Sequence, residues 1–294
     1  MRFPRAVGWQ FAAMAALAPA VSHAQTAAVD DGSAGWVLGL GAQADEHDAS
    51  SLLGTFQVGV GARTWLTFVA GQSESPSDFA DIEANALVLG LDHRFDKVGF
   101  TLEAERWGDS GALETADFSG TVYFERERLH LGFGYEKRDI EIPFTVTGPL
   151  GGTFHRTAEL SADGYSVNGN VALAGRWRMY FGLTEYDYER NLAVVPRIAS
   201  LNMLSMSTLT LANSFLDHDR WLAVERAFGQ ATLLNVRAAT DKSALDASQL
   251  DTLEAAVLFP IGRRIDLEVS IGSGRSDFFD AGLYGGLLFL IYGR

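Results

Sequence analysis

The sequence predicts an all-β protein: a transmembrane antiparallel up-and-down barrel of about fourteen strands, with twelve or sixteen as the alternative counts. Three observations predict it. Segments of two-residue hydrophobic alternation follow one another along most of the chain. No apolar run after the N-terminus is long enough for a membrane-spanning helix. The connections between the alternating segments alternate between tight and long.

The alternation is clearest in VGFTLEAERWG, residues 98–108. Phe100 and Leu102 leave one face of such a strand, and Glu103 and Glu105 leave the other, because successive side chains point to opposite sides. In a membrane barrel the apolar face contacts lipid and the polar face lines the interior. We therefore expect Phe100 and Leu102 to face lipid and the two glutamates to face the lumen.

The alternating segments divide the chain into fourteen strands. Segment 210–226 is interpreted as one strand rather than a hairpin turning at Asp217, His218 and Asp219, because a hairpin would break the alternation of connection lengths. The predicted strands cover residues 35–44, 53–61, 64–73, 81–94, 98–108, 115–126, 128–147, 153–174, 177–189, 210–226, 231–241, 249–259, 264–274 and 281–292.

The lengths of the connections predict the topology. Tight turns such as GAR, FDK and PIGR alternate with longer polar segments such as DEHDASS and SESPSDFA. An up-and-down membrane barrel has short turns at one end, long loops at the other, and an even strand number that leaves both chain ends on one side. A Greek-key sandwich does not sort its connections in this way. A lipocalin-like soluble barrel needs only about eight strands.

The N-terminus has the features of a secretory signal peptide. Arg2 and Arg5 precede an apolar stretch, and small residues at Ser22 and Ala24 predict cleavage after Ala24. The alternative is an amphipathic N-terminal helix of the mature protein. The predicted organisation is a signal peptide at 1–24, a short linker at 25–34 and one barrel domain at 35–294.

Over residues 35–294 the pattern resembles the bacterial outer-membrane β-barrel class, although no discrete motif indicates a subfamily. The resemblance implies a location in the cell outer membrane. It also implies two partners, the surrounding lipid and the barrel-assembly machinery. Members of this class usually end on an aromatic residue, whereas this chain ends LIYGR, with Tyr292 third from the end and Gly293 and Arg294 after it. That departure puts the mode of assembly in question more than the fold.

Composition excludes several function classes. The chain has no cysteine, so disulfide scaffolds, thiolate metal sites and cysteine nucleophiles are absent. Its formal net charge is −14, which becomes −16 once Arg2 and Arg5 are removed, and this argues against a nucleic-acid partner. His93, His130 and His155 lack metal-ligand spacing, and no glycine-rich phosphate loop opens a helix. We expect no cofactor and no metal.

The polar faces of the predicted strands give a set of candidate lumen-lining residues that would set the selectivity of a pore. Acids outnumber bases in this set. The alternative is a salt-bridged polar filling that satisfies the interior of a closed barrel. The set is Glu103, Glu105, Asp117, Tyr123, Glu125, His130, Glu136, Arg138, Arg237, Glu254, Arg264, Asp266 and Glu268.

Two regions near the predicted outer end differ from the regular strands. Residues 191–213 carry one charge, Arg197, and either extend the flanking strands or fold into the barrel as a constriction. The sequence of residues 141–160 predicts a hairpin that projects beyond the membrane. Aromatic residues near strand ends suit the membrane interfaces, with core or loop positions as the alternative. They are Trp36, Trp65, Trp107, Trp177, Tyr186 and Tyr188.

The leading functional prediction is a pore for small polar or cationic solutes. A closed structural or accessory barrel in envelope or surface assembly is the alternative, and a lipid-modifying enzyme is a minority hypothesis. The triplet Asp217, His218, Asp219 offers an acid and a base, but neighbours on a regular strand point to opposite faces. We therefore expect no enzymatic activity.

Overall fold

The computed structural model is a β-barrel with one short 3-10 helix, Ala174–Arg176, in the part that is described. The described residues are 35–46, 48–75, 82–109, 113–147, 153–189, 215–229, 231–244, 247–276 and 279–293. The strands are β1 Trp36–Asp45, β2 Ser50–Gly59, β3 Thr64–Ser75, β4 Ile82–Arg94, β5 Val98–Asp109, β6 Leu113–Arg126, β7 Leu129–Thr147, β8 Thr153–Ala172, β9 Trp177–Tyr188, β10 Leu216–Phe228, β11 Thr232–Ser243, β12 Gln249–Pro260, β13 Ile265–Ser276 and β14 Phe279–Gly293.

The fourteen strands close into one antiparallel up-and-down barrel. Each strand pairs with its neighbours in sequence, and β1 pairs with β14 from Trp36 opposite Gly293 to Asp45 opposite Tyr284. Closure leaves no unpaired sheet edge, which is the condition for a sheet to cross a membrane. The predicted fold class and strand count are confirmed. The predicted tenth segment, 210–226, is one strand in its described part, β10, with no hairpin at 217–219; residues 210–214 lie outside the described residues.

The two ends of the barrel differ in the length of their connections. At the end that carries Trp36 and Gly293, the strands are joined by short turns at 60–63, 95–97, 127–128 and 261–264. At the other end, the connections between β3 and β4 and between β9 and β10 are longer. The predicted long loops GDSGALE and GRSDFFDA are instead reduced to residues 110–112 and 277–278, because the flanking strands extend into them. We call the end that carries Trp36 and Gly293 the periplasmic end, because short turns lie on the periplasmic side of outer-membrane barrels. We call the opposite end the outer end.

The two faces of the wall differ in burial and polarity. Leu40, Phe68 and Phe133 point outward and are 51%, 46% and 60% exposed. Gln57 and Trp65 point inward and are buried. On β5, Leu102 shares the outward face, and Glu103 and Glu105 lie on the inward face, as the alternation predicts.

The outward face changes from apolar to charged along each long strand. On β7 the outward residues Leu129 to Tyr135 are apolar or aromatic, and Lys137 and Asp139 follow them on the same face. Residues 129–135 span about 20 Å of strand at 3.4 Å per residue. At a strand tilt of about 40° this length corresponds to a height of about 16 Å, which lies within the apolar band of about 25 Å that surrounds membrane barrels.

Four of the six aromatic residues expected at the membrane interfaces lie on the inward face instead. Trp36 and Trp177 point outward, Trp36 with its ring centroid 6.4 Å from that of Phe56. Trp177 packs under the guanidinium of Arg226 at 5.0 Å. The inward residues follow the parity of their strands, which a position near a strand end does not reveal. These inward residues are Trp65, Trp107, Tyr186 and Tyr188.

Glycines on the inward face make room for aromatic rings on the next strand. Gly99 lies opposite Tyr123, and Gly272 lies opposite Tyr284. A Cβ atom built at either glycine would overlap the facing tyrosine ring. The small residue therefore allows the ring to lie flat along the wall.

Several sequence predictions fall outside the described residues. They include the signal peptide and linker at 1–34 and the apolar segment at 191–213. The projecting hairpin is described up to the pairing of Thr147 with Thr153. In the part that the structure describes, no helix is long and apolar enough to cross a membrane.

Candidate functional site

A group of carboxylates lies on the inward face of β5, β6 and β7, and we call it the acidic wall. It consists of Glu103, Glu105, Asp117 and Glu136, together with Arg138. The strand registers bring these residues together, because Glu105 lies opposite Asp117 and Asp117 lies opposite Arg138. Four carboxylates and one guanidinium thus lie on the inward face of three neighbouring strands.

Arg138 neutralises only part of the acidic wall. Its Nε donates to Asp117 Oδ2 at 3.0 Å, and its Nη2 donates to Glu136 Oε1 at 3.0 Å. The guanidinium stacks 4.7 Å over the ring of Tyr186, whose hydroxyl hydrogen-bonds to Glu136 at 3.2 Å. The Arg138 side chain is only 13% exposed. Arg138 therefore holds two carboxylates in fixed positions against the wall.

Glu103 and Glu105 differ from these two carboxylates. Within the part of the chain that the structure describes, neither has a hydrogen bond or an ion pair. Glu103 is exposed and Glu105 is half-buried, although both point inward. Of the two, Glu103 is the more accessible to solvent on the inward face of the wall.

A second charged group lies on β10, β11, β12 and β14. Arg237 lies directly opposite Glu254, and its guanidinium packs 5.1 Å from the ring centroid of Trp221. Glu254 hydrogen-bonds to Tyr284. The sequence-based set contains Arg237 and Glu254. It lacks two further inward acids, Asp219 and Asp241, which lie opposite each other on β10 and β11.

The remaining candidate lumen residues lie nearer the periplasmic end. Glu125 pairs with Arg94 at 3.1 Å. The Tyr123 hydroxyl donates to Asp92 Oδ2 at 3.1 Å, and the Tyr123 ring stacks on His130 at 4.8 Å.

Three candidates lie on or beside β13. The Tyr292 hydroxyl donates to Asp266 at 2.9 Å, and Glu268 lines a recess in the wall. Arg264 lies in the exposed turn before β13 rather than on the wall itself.

The candidate set from the sequence lacks some interior residues, although the alternation of inward and outward positions along each strand would place them inward. Asp92 and Asp219 lie in segments where the alternation is interrupted by other polar residues. Tyr180 and Glu225 pair across β9 and β10, with 3.4 Å between the hydroxyl and the carboxylate. Extending the inward parity of each strand through its full length would have included all four.

The inward face on the other side of the barrel is apolar near the periplasmic end. Val37, Leu258, Leu288 and Leu290 pack together there, and we call them the seam wall because β1 and β14 close the barrel at this point. Leu288 and Leu290 are 2% and 1% exposed. The sequence does not assign an inward face to β14, which is apolar on both sides. The structure places Leu288, Leu290 and Tyr292 inward.

The triplet 217–219 departs from the regular strand that the sequence predicts. A register shift lies between Leu216 and His218 where β10 pairs with β11. Because of this irregularity, Asp217 contacts His218 at 3.2 Å and Lys242 at 3.2 Å. The expectation that Asp217 and Asp219 share a face without His218 is therefore wrong. Asp219 lies opposite Asp241 instead.

Comparison with known proteins supports the fold. No family model matches the sequence, and no curated protein matches it. Among solved structures, a CymD monoaromatic hydrocarbon channel is 9% identical with a TM-score of 0.51, over 88% of this chain and 87% of that chain. A loop L8 deletion mutant of OmpT, an outer membrane protein of Vibrio cholerae, is 11% identical with a TM-score of 0.46, over 88% and 98%. A KdgM porin is 6% identical with a TM-score of 0.42, over 86% and 98%.

The likeness to CymD concerns architecture. At 9% identity it shows a shared fold and not a shared activity. Together with the closed fourteen-stranded barrel, it confirms the predicted resemblance to the outer-membrane β-barrel class at the level of fold.

Proposed function

We propose that the protein is an outer-membrane pore for small polar solutes, with a preference for cations. One observation carries the proposal: the described charged contacts of the interior run along the wall and not across the lumen. Arg138 on β7 bonds to Asp117 on β6 and to Glu136 on its own strand. Arg94 on β4 pairs with Glu125 on β6. These contacts, among the described residues, join neighbouring strands or strands two apart and do not cross the lumen.

The size of the barrel supports a water-filled path. Fourteen strands spaced about 4.8 Å apart and tilted by about 40° give a backbone diameter of about 28 Å. Barrels of about eight strands are just filled by their own side chains, and those of about 16–18 strands enclose an open channel. The exposure of Glu103 on the inward face supports free space next to the wall formed by β5.

The charge of the acidic wall supports the cation preference. Arg138 offsets Asp117 and Glu136, while Glu103 and Glu105 project toward the lumen without ion pairs among the described residues. Carboxylates beside a low-dielectric wall raise the local concentration of cations and lower that of anions. Along the inward faces described, carboxylates also outnumber the arginines, which are Arg94, Arg138, Arg178 and Arg237.

A closed accessory barrel is the second candidate, and one observation favours it. The seam wall is packed and almost fully buried, which shows that part of the interior is filled by side chains. CymD is a monoaromatic hydrocarbon channel, but that role is less well supported for this chain, because the charged groups on β5–β7 disfavour an apolar solute. The proposal includes no enzymatic activity. Lipid and the barrel-assembly machinery are the partners that it implies.

Single-channel conductance in a planar bilayer tests the pore, and the reversal potential across a KCl gradient tests its selectivity. We expect steady cation-selective steps. Glu103→Gln combined with Glu105→Gln should weaken the selectivity. The matched control, Glu83→Gln on the outward face of β4, should leave it unchanged. Absence of conductance from protein shown to be folded and inserted would contradict the pore and favour the closed barrel.

A further inference from the structure

The outward face of the wall carries two arginines near the periplasmic end. Among the described strand residues at that end, Arg126 on β6 and Arg226 on β10 are the charged side chains that point outward. A charge facing lipid is costly at the middle of the membrane and costs little near its interfaces. Their positions close to the ends of their strands therefore place both cations at the level of the lipid head groups.

Arg226 is held between two aromatic rings. Its guanidinium carbon lies 5.0 Å from the ring centroid of Trp177, directly opposite on β9, and 4.9 Å from that of Phe228, two residues further along β10. Both distances are typical of a cation–π contact. Arg126, by comparison, stacks on one ring, that of Phe124 at 5.6 Å. The two rings fix the plane of the Arg226 guanidinium, whose edge still carries N–H donors.

A second guanidinium reaches the same end of β10. Arg176 lies in the turn before β9, and its Nη1 donates to the carbonyl oxygen of Gly229 at 2.6 Å. Gly229 directly follows Phe228, so the side chains of Arg176 and Arg226 meet the chain within a few residues of each other. We call Arg176, Trp177, Arg226 and Phe228 the β9–β10 cluster.

The two guanidinium groups of the cluster have no carboxylate partner in the part of the chain that the structure describes. The sequence neighbour Glu225 is buried on the inward face. The first outward acid along β9 is Glu185, eight residues beyond Trp177, or about 27 Å at 3.4 Å per residue. Glu185 pairs with Arg220 at 3.7 Å. The outward cation at the outer end of β10 thus has a counter-charge within the protein, whereas Arg226 does not.

An apolar surface leads from the cluster toward the middle of the membrane. It is formed by the outward side chains of β9, β10 and β11, which lie on the membrane side of the two guanidinium groups. These residues are Met179, Phe181, Leu183, Leu222, Val224, Leu234 and Val236. The wall therefore combines a positively charged site and an apolar surface, in the order in which a phospholipid places its head group and its acyl chains.

We propose that the β9–β10 cluster binds an anionic phospholipid of the periplasmic leaflet. Arg226 would donate two N–H hydrogen bonds to the phosphodiester oxygens, a geometry that guanidinium and phosphate groups favour. Arg176 would add positive charge, which selects a head group of net negative charge over a zwitterionic one. An acyl chain would lie along Leu222 and Val224. The site does not depend on the proposed pore, because Arg226 points away from the lumen.

Other anionic partners fit the cluster less well. A soluble anionic protein cannot reach Arg226 and Trp177, because surrounding lipid covers the outward face of a membrane barrel. A free phosphate ion would contact Arg226 but would leave the apolar surface beside it unused.

Native mass spectrometry of the detergent-folded protein tests the proposal with dioleoyl phosphatidylglycerol as the probe. Dioleoyl phosphatidylcholine has the same chains without net charge, and glycerol 1-phosphate has a phosphate without chains. We expect bound phosphatidylglycerol at lower concentration than phosphatidylcholine, and no bound glycerol phosphate. Equal binding of the two lipids would overturn the charge-selective site. Binding of glycerol phosphate as tight as that of phosphatidylglycerol would overturn a phospholipid as the occupant.

Variants on one face of β10 locate the site. Arg226→Gln should weaken phosphatidylglycerol binding about tenfold, because hydrogen bonds between charged groups are lost, and should leave phosphatidylcholine binding unchanged. Arg226→Lys keeps the charge without the planar fork and should lose less. The matched control is Arg220→Gln, at the outer end of the same face, which should bind phosphatidylglycerol as the unmodified protein does.

Two results would overturn the assignment to Arg226. One is unchanged phosphatidylglycerol binding in folded Arg226→Gln. The other is an equal loss in Arg226→Gln and Arg220→Gln, which would show attraction to the overall charge of the protein rather than to this cluster. If Arg226→Gln does not fold, the same comparison is made between Arg226→Lys and Arg220→Lys.

Discussion

The acidic wall and the seam wall face each other across the lumen, seven strands apart, and they are stabilised in different ways. On β7, Arg138 and Glu136 are held by charged hydrogen bonds. On β14, Leu288 and Leu290 are held by close apolar packing and are almost fully buried. The comparison teaches that the inward face of one barrel can be charged on one side and apolar on the other. One side presents charge to water, and the other excludes water.

The strongest test of this contrast is Arg138→Met. The substitution leaves Asp117 and Glu136 against the wall without their shared cation, and breaking such a buried pair costs about 3–5 kcal/mol. The free energy of unfolding in urea, measured in lipid vesicles, checks this. Arg220→Met is the control, because Arg220 and Glu185 are 57% and 64% exposed, and it should cost less than about 1 kcal/mol. Equal losses for both variants would show that the cluster is not tightly coupled.

The seam wall is tested by Leu290→Ala. Because Leu290 is 1% exposed inside a packed cluster, the truncation should create a cavity and cost about 2–5 kcal/mol in the free energy of unfolding. The control is Leu287→Ala on the outward face of the same strand, where Leu287 is 47% exposed. It should cost clearly less. If the two variants lose the same stability, the seam wall is not packed as described.

A smaller effect is expected from Gly272→Ala, which adds a methyl group beneath the Tyr284 ring. The ring must move, and overpacking of this kind costs about 1–3 kcal/mol. The control is Gly54→Ala on the outward face, where the nearest atom to a built Cβ is 3.8 Å away. Urea unfolding of the two variants compares them. A stable Gly272→Ala variant would indicate that Tyr284 is free to rotate away from the wall.

The smallest expected effect concerns salt. Raising KCl from about 0.1 M to 1 M shortens the screening length from about 10 Å to 3 Å. Selectivity that arises from the exposed Glu103 should therefore decline, whereas the contribution of the buried Arg138 cluster to stability should change little. Reversal potentials at the two concentrations, with unfolding measured in parallel, check both. If the selectivity does not change with KCl concentration, it arises from groups other than Glu103.

Much of the fold follows from the sequence, because a two-residue period and turn lengths are local properties. The predicted bounds of β5 and β9 differ from the observed ones by a single residue each. The last strand shows the limit: β14 is apolar on both faces, so only its register with β1 and β13 reveals that Leu288 points inward.

The candidate site was harder to predict than the strands. Parity places Glu103 and Arg138 on the inward face, but it does not show which carboxylates the arginine contacts. That depends on the register between β6 and β7, which brings Asp117 opposite Arg138.

The pairing of β1 with β14 has a consequence for how the barrel forms. It joins Trp36 to Gly293, nearly the full length of the chain apart, so it has the greatest sequence separation of all the strand pairings. Contacts of high sequence separation are slow to form, because the ordering of the intervening chain must come first. Until β14 has been made and ordered, β1 remains an open strand edge that can pair with another chain. The pairing of β1 with β14, rather than the formation of individual hairpins, should therefore limit the rate of assembly.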